Sequence, residues 1–247
     1  MSQPPFARLV DVTKSYANTL ALDRVSLDIF PGEVLGVVGA NGSGKSTLMS
    51  ILCGNHIPES GGVWVDSRPV VFNSTADAIL HGIRILPQHL ELYPSLNILE
   101  NIFLGQEMTR GFGFARLMAW RKMSSAAKGL LHRVDANSID PRGAVSSLSG
   151  GQQKAVMLAR LLAGKANVLV FDEPMASLGV PQKIRLLEIF KAEAADGRTI
   201  VFVSHDVEDV LSVCSRVVVL RKGRIATDIP RNQTNREALA VEMSLSE

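Results

Sequence analysis

The chain has 247 residues, 46% of them hydrophobic and 20% charged, enough apolar material for one domain with a sizeable core. Its formal net charge of +2 gives no electrostatic case for a nucleic-acid partner. No apolar run nears the roughly 18–20 residues that span a bilayer, and MSQPPFARLV lacks a basic-then-apolar secretory pattern, so the expected location is cytoplasmic, with any membrane link made through a partner.

The first third reads as short strands: Arg8–Val12, Val25–Phe30 and Glu33–Val38, the last two separated by a Pro31-Gly32 turn. The run Val34–Val38 is apolar throughout, as in a strand buried on both faces. A glycine loop and a helix over Lys45–Cys53 follow, then strands near Gly62–Val65, Val70–Phe72 and Ile83–Leu86. From about Ser95 to Arg160 apolar residues recur at spacings of three and four (Ile98, Ile102, Phe103; Met118, Met123, Ala127; Leu130, Leu131), which predicts a helical lobe with a surface loop at Gly105–Gly113. Alternation returns with a strand at Asn167–Phe171, a helix at Gln182–Ala195, a strand at Thr199–Val203, a helix at Val207–Val213 and a strand at Arg216–Leu220. This is a layered α/β pattern. The tail Asn232–Glu247 is expected to be a short surface helix, and there is no second copy of the glycine loop. Cys53 and Cys214 stand far apart and are expected as small buried hydrophobes on helices. His56, His81, His89, His132 and His205 have no metal-binding spacing, so no structural metal is expected.

Gly39-Ala40-Asn41-Gly42-Ser43-Gly44-Lys45-Ser46-Thr47 contains GxxxxGK[ST] between a strand and a helix. Glycines let the backbone wrap an anion with several N–H groups turned inward, and the following helix adds its positive end. In this pattern Lys45 reaches the β- and γ-phosphates of a nucleotide and the Ser46 hydroxyl ligates Mg²⁺. The strand Val168–Phe171 ends in Asp172-Glu173-Pro174, and carboxylates at parallel strand ends face the ligand crevice. Asp172 is placed for the metal and Glu173 for a general base acting on the attacking water. Gln88 and His205 follow strands in the same way, within reach of the γ-phosphate or the lytic water.

Leu148-Ser149-Gly150-Gly151-Gln152 comes after the glycine loop and just ahead of the acidic strand end. With Tyr16, the P-loop, Gln88, LSGGQ, Asp172-Glu173 and His205 in this order, the chain resembles the nucleotide-binding subunit of an ATP-binding cassette (ABC) transporter over roughly residues 5 to 230. The resemblance implies a P-loop NTPase (RecA-like) α/β core with an N-terminal antiparallel β subdomain and an inserted α-helical subdomain. Its expected division is a catalytic lobe over 5–92 and 161–230, a helical lobe over 93–160 and a tail over 231–247. It further implies that Tyr16 stacks on adenine, and that Ser149, Gly150, Gly151 and Gln152 close over ATP held by a second subunit. Gln88 would join Ser46 and Asp172 around Mg²⁺ and sense the γ-phosphate; His205 would hold that phosphate and the water in line. The implied partners are a second ATP-binding subunit, an integral-membrane permease and, indirectly, a secreted or periplasmic solute-binding protein. The implied location is the inner face of the cell membrane.

The stretches Ile51-Leu52-Cys53-Gly54, Pro58–Gly62, Glu100–Glu107 and Ser177-Leu178-Gly179-Val180 resemble importers of ribose, xylose, galactose or fructose. That group usually fuses two cassettes, so a single-cassette branch is the expected match. Gly179 stands where most members carry Asp. Amino acids or lipids are the alternative solutes. An ABC ATPase of DNA repair is disfavoured by the lack of long coiled-coil heptads, one of translation by the single cassette, and a P-loop kinase or GTPase by the presence of LSGGQ.

Overall fold

The computed structural model describes residues 3–86, 92–110, 117–175 and 178–244. The chain forms two compact units, one from residues 1–88 with 166–247 and one from 89–165.

The first unit holds two sheets. In the four-stranded antiparallel sheet, β1 (Ala7–Tyr16) lies between β2 (Thr19–Ile29) and β4 (Ser60–Val65), with β5 (Arg68–Val70) outside β4. The strand at Val25 in fact begins six residues earlier, at Thr19. Register shifts between Leu9 and Ser15 break the alternation that would have revealed it. The six-stranded sheet has the order β12 (Arg224–Pro230), β11 (Arg216–Arg221), β3 (Val34–Val38), β10 (Thr199–Ser204), β9 (Val168–Asp172), β6 (Ile83–Leu86). Its pairs are parallel except β11–β12. Every residue of β3 and β10 is buried, so their apolar runs reflect cover on both faces.

Around these sheets lie α1 (Lys45–Leu52), α2 (Thr75–Leu80), α6 (Val180–Ala195), α7 (Val207–Leu211) and α8 (Arg236–Ser244). Two of this unit's elements were not expected from the sequence. α2 buries only Ala78 and is held by its Ser74 cap, while β12 is an edge strand with exposed and half-buried residues in alternation. α7 ends at Leu211 rather than Val213, so Cys214 lies beyond it, and Cys53 caps the end of α1. Both thiols are buried, and burial raises their pKa values.

The second unit contains α3 (Ile98–Phe103), the short hairpin β7 (Thr109–Arg110) and β8 (Leu117–Met118), α4 (Trp120–Arg133) and α5 (Gly150–Ala163). The loop expected over Gly105–Gly113 therefore includes a strand, and Met118 is strand rather than helix. Asn101 is fully buried yet satisfied: its amide nitrogen donates to the carbonyls of Tyr93, Leu96 and Asn97, and its amide oxygen accepts from Tyr93 N–H. Among the described residues no helix is long and apolar enough to cross a membrane.

Candidate nucleotide site

Strands β3, β10 and β9 are neighbours, and each ends in one part of the site. After Val38 the chain enters the glycine loop; after Asp172 comes Glu173; after Ser204 comes His205. Close packing fixes the loop. A Cβ on Gly39 would lie 2.2 Å from the Leu220 carbonyl oxygen. Gly44 has φ +105°, and its Cβ would lie 2.5 Å from the Ala21 carbonyl oxygen, so no L side chain fits either position. Gly44 leads directly into α1, which begins at Lys45.

Lys45 is buried, and its ammonium donates to the carbonyls of Gly39 (2.8 Å) and Ala40 (3.0 Å). Burial lowers its pKa, opposed by the charges of Glu173 and Asp172. The pKa of Asp172 is raised by burial, opposed by a hydrogen bond from Ser46 and by Lys45. Its Oδ1 is buried with no hydrogen-bond partner, as is the Ser43 hydroxyl. A buried carboxylate oxygen without a donor, beside a serine hydroxyl, is the kind of hard oxygen set that suits Mg²⁺. The residues present fit that ion.

Glu173 has φ +50°, a strained position for a side chain of its size. Its N–H donates to the Val203 carbonyl at 3.1 Å, and its Oε2 accepts from His205 Nδ1–H at 2.8 Å. Ser204 and Asp206 fix the backbone after His205: Asp206 N–H donates to Ser204 Oγ (3.0 Å), and the Asp206 carboxylate caps α7. Glu173 and His205 are thus oriented by neighbouring strand ends rather than by a flexible surface.

Tyr16 ends β1 with 41% of its surface exposed. The Lys14 ammonium lies 5.6 Å from its ring centroid, and the His56 ring meets it edge-on at 5.7 Å. Neither neighbour was expected from sequence. Lys14 had a signal, because residues i and i+2 share a strand face; His56, forty residues away, had none. Gln88 lies outside the described residues.

In the second unit Ser149 caps α5. Gln152 N–H donates to Ser149 Oγ at 3.4 Å, and Ser149 N–H donates to Gln152 Oε1 at 2.9 Å, a reciprocal capping box. Gly150 and Gly151 are exposed in its first turn, and a Cβ on either would meet nothing within 4 Å.

The ABC transporter family model matches residues 22–176. The chain belongs to the ABC transporter family. It is 37% identical over 239 residues to a ribose import ATP-binding protein of Streptomyces avermitilis, covering 97% of this chain and 46% of that one. It is also 37% identical to an arabinose import ATP-binding protein of Chromohalobacter salexigens, covering 89% of this chain and 43% of that one. The chain thus spans about half the length of the curated relatives it matches. Among solved structures it resembles an ATP-binding cassette captured as a post-hydrolysis dimer with ADP and Pi, at 27% identity and a TM-score of 0.79, covering 91% of this chain and 98% of that one.

Membership bears directly on the glycines of the two units. Gly39 and Gly44 are required by packing inside the chain, whereas Gly150 and Gly151 are not. Gly179 caps α6 with φ −72°, a backbone that any residue can adopt. A Cβ there would lie 2.8 Å from Gln182 Oε1, the far end of a side chain that can move away.

Proposed function

We propose that this chain binds and hydrolyses Mg²⁺–ATP and drives import of a small polar solute, a sugar first among them, through a membrane permease. The observation that carries this reading is the meeting of Lys45, Ser46, Asp172, Glu173 and His205 at the ends of three adjacent parallel strands. Loop N–H groups and Lys45 would cradle the phosphates, with Lys45 exchanging its two carbonyl partners for β- and γ-phosphate oxygens. Ser46 and Asp172 would hold the metal, joined by Gln88. Magnesium, when bound, neutralises charge on the transferring phosphoryl group. Glu173 would take a proton from the attacking water while His205 Nδ1–H steadies its carboxylate. Tyr16 would offer its exposed ring to adenine.

The reading extends to a dimer. Gly150 and Gly151 weaken a helix start and serve no packing need within the chain. That cost is offset if a second protomer's γ-phosphate approaches the exposed N–H groups there. Ser149 and Gln152 shape this helix start through their reciprocal cap. The chain would then act as one cassette: residues 5–92 and 161–230 bind nucleotide, the helical lobe over 93–160 carries LSGGQ, and 231–247 form a tail. It would sit on the inner face of the cell membrane through the permease, with an external solute-binding protein as an indirect partner. The curated relatives are named for ribose and arabinose import, which supports sugar as the solute class.

Size-exclusion chromatography of Glu173→Gln tests this. ATP with Mg²⁺ should convert the variant to a dimer, and the added change Gly151→Arg should return it to a monomer that still binds ATP. A Glu173→Gln protein that stays monomeric with saturating ATP, or a dimer indifferent to Gly151→Arg, would overturn the shared-nucleotide reading.

A further inference from the structure

The helical unit is far more basic than the rest of the chain. Residues 89–165 hold ten Lys or Arg against five Asp or Glu, while the remainder holds sixteen against nineteen. Within residues 105–133 there are six Lys or Arg, and the one acidic residue is Glu107. The excess includes one corner, where hairpin β7–β8 runs into α4.

At this corner Leu117 is 62% exposed and Trp120 is 44% exposed. Arg110, Arg121 and Lys122 are exposed beside them. Arg110 pairs directly across the hairpin with Leu117, which puts their side chains on one face. Trp120 extends the buried α4 stripe of Met123, Ala127 and Leu131 by one turn, past the point where that stripe is covered. Among the described residues, none of the three cations forms an ion pair.

The start of α4 also runs against helix electrostatics. Its cap position is Ala119, with no side-chain hydrogen bond, and its first turn holds no acid. Arg121 and Lys122 lie there instead, at the end of the helix whose dipole disfavours cations. A locally unfavourable choice of this kind is expected where an outside partner compensates it. Negative charge spread over a surface would do so.

The composition separates two kinds of partner. Cores of protein interfaces favour Trp and Arg but are depleted of Lys, so Lys122 is the member of this corner that fits them worst. The polar boundary of a bilayer favours Trp together with Lys and Arg, the ring seated among headgroups and the cations on phosphates. We propose that the corner formed by Arg110, Leu117, Trp120, Arg121 and Lys122 is a membrane-surface contact that takes the anionic headgroups of phospholipids. The contact lies within one unit and uses none of the nucleotide residues, so it stands or falls apart from the transport reading.

The test is co-sedimentation of the full chain, without nucleotide, with vesicles of phosphatidylcholine alone and of phosphatidylcholine mixed with phosphatidylglycerol. Binding should be stronger to the mixed vesicles and should fall as salt rises. Each basic residue near such a surface contributes about fivefold, so Arg121→Glu with Lys122→Glu should lower partition at least about twentyfold. Trp120→Ala should weaken it as well. Lys128→Glu, farther along α4, should change it far less. Circular dichroism and turnover in solution should be unaltered in the Arg121, Lys122 and Lys128 variants, whose side chains are exposed. Equal partition to both vesicles, partition to neither, or an equal loss from Lys128→Glu would overturn the proposal. So would capture only by vesicles carrying an integral-membrane protein, which would make the corner a protein contact.

Discussion

The two glycine-bearing motifs of this chain obey opposite rules. Gly39 and Gly44 sit where a Cβ would strike the Leu220 or Ala21 carbonyl oxygen, and Gly44 has a backbone that L residues rarely adopt. Gly150 and Gly151 occupy open space at a helix start already secured by the Ser149–Gln152 box. The first pair is dictated by the fold around it. The second has no packing reason within its own chain, and the proposed dimer supplies one from outside. A site that a second molecule completes is expected to show itself in this way, as residues that cost stability and serve nothing locally.

The sharpest way to break this comparison is to remove the cation from the cradle. Lys45→Ala should cost about 2–5 kcal/mol of ATP binding, the usual loss for a buried charged partner, measured by calorimetry on the isolated chain. Gly151→Ala should leave that single-chain affinity unchanged. If both variants bind ATP equally well, the division between inner and outer motif is wrong.

Stability should separate the same two motifs with opposite sign. Gly44→Ala should destabilise the fold by about 1–3 kcal/mol, from a strained φ alone, with the carbonyl clash adding to it. Gly151→Ala should stabilise α5 by up to about 1 kcal/mol while lowering turnover. Chemical denaturation checks both. A Gly151→Ala protein that is clearly less stable than the parent would show a structural need for that glycine.

The buried carboxyl of Asp172 predicts a pH dependence. Burial raises the pKa of Asp172 above the ordinary carboxylate value of 3.8. The native state therefore holds its proton more tightly than the unfolded chain, and this group's contribution to stability falls as pH rises through that window. Asp172→Asn should then raise the melting temperature of the nucleotide-free protein at neutral pH. The gain should shrink as pH drops toward 3.8. Added Mg²⁺–ATP should reverse the ranking, because the parent gains a ligand that the variant holds poorly.

Much of this contrast was legible in the residues alone. The apolar runs of β3, β9 and β10 are readable because strands covered on both faces have no polar option, and the motif residues at their ends follow from spacing. α2 is short and the first half of β2 is irregular, so neither carries much apolar period, whereas β12 did offer one in Ile225, Thr227 and Ile229. At the site the sequence named Glu173 and His205 but not the positive φ or the bond that joins them. Those arise from β9 and β10 lying side by side, which is a long-range fact.

The smallest expected effect concerns how that bond is held. Lys183, in the first turn of α6, donates to Asp209 at 2.9 Å and lies 3.9 Å from Asp206, the cap residue that follows His205. An ion pair of this exposure contributes about 0.2–1 kcal/mol. Lys183→Met should therefore lower overall stability only slightly. If the pair also fixes the start of α7, turnover should fall while the Michaelis constant for ATP stays level, and Lys183→Arg should restore it. Loss of stability and turnover in strict proportion, with no rescue by Arg, would reduce Lys183 to an ordinary surface contact. The Glu173–His205 contact would then owe its rigidity to the strands alone.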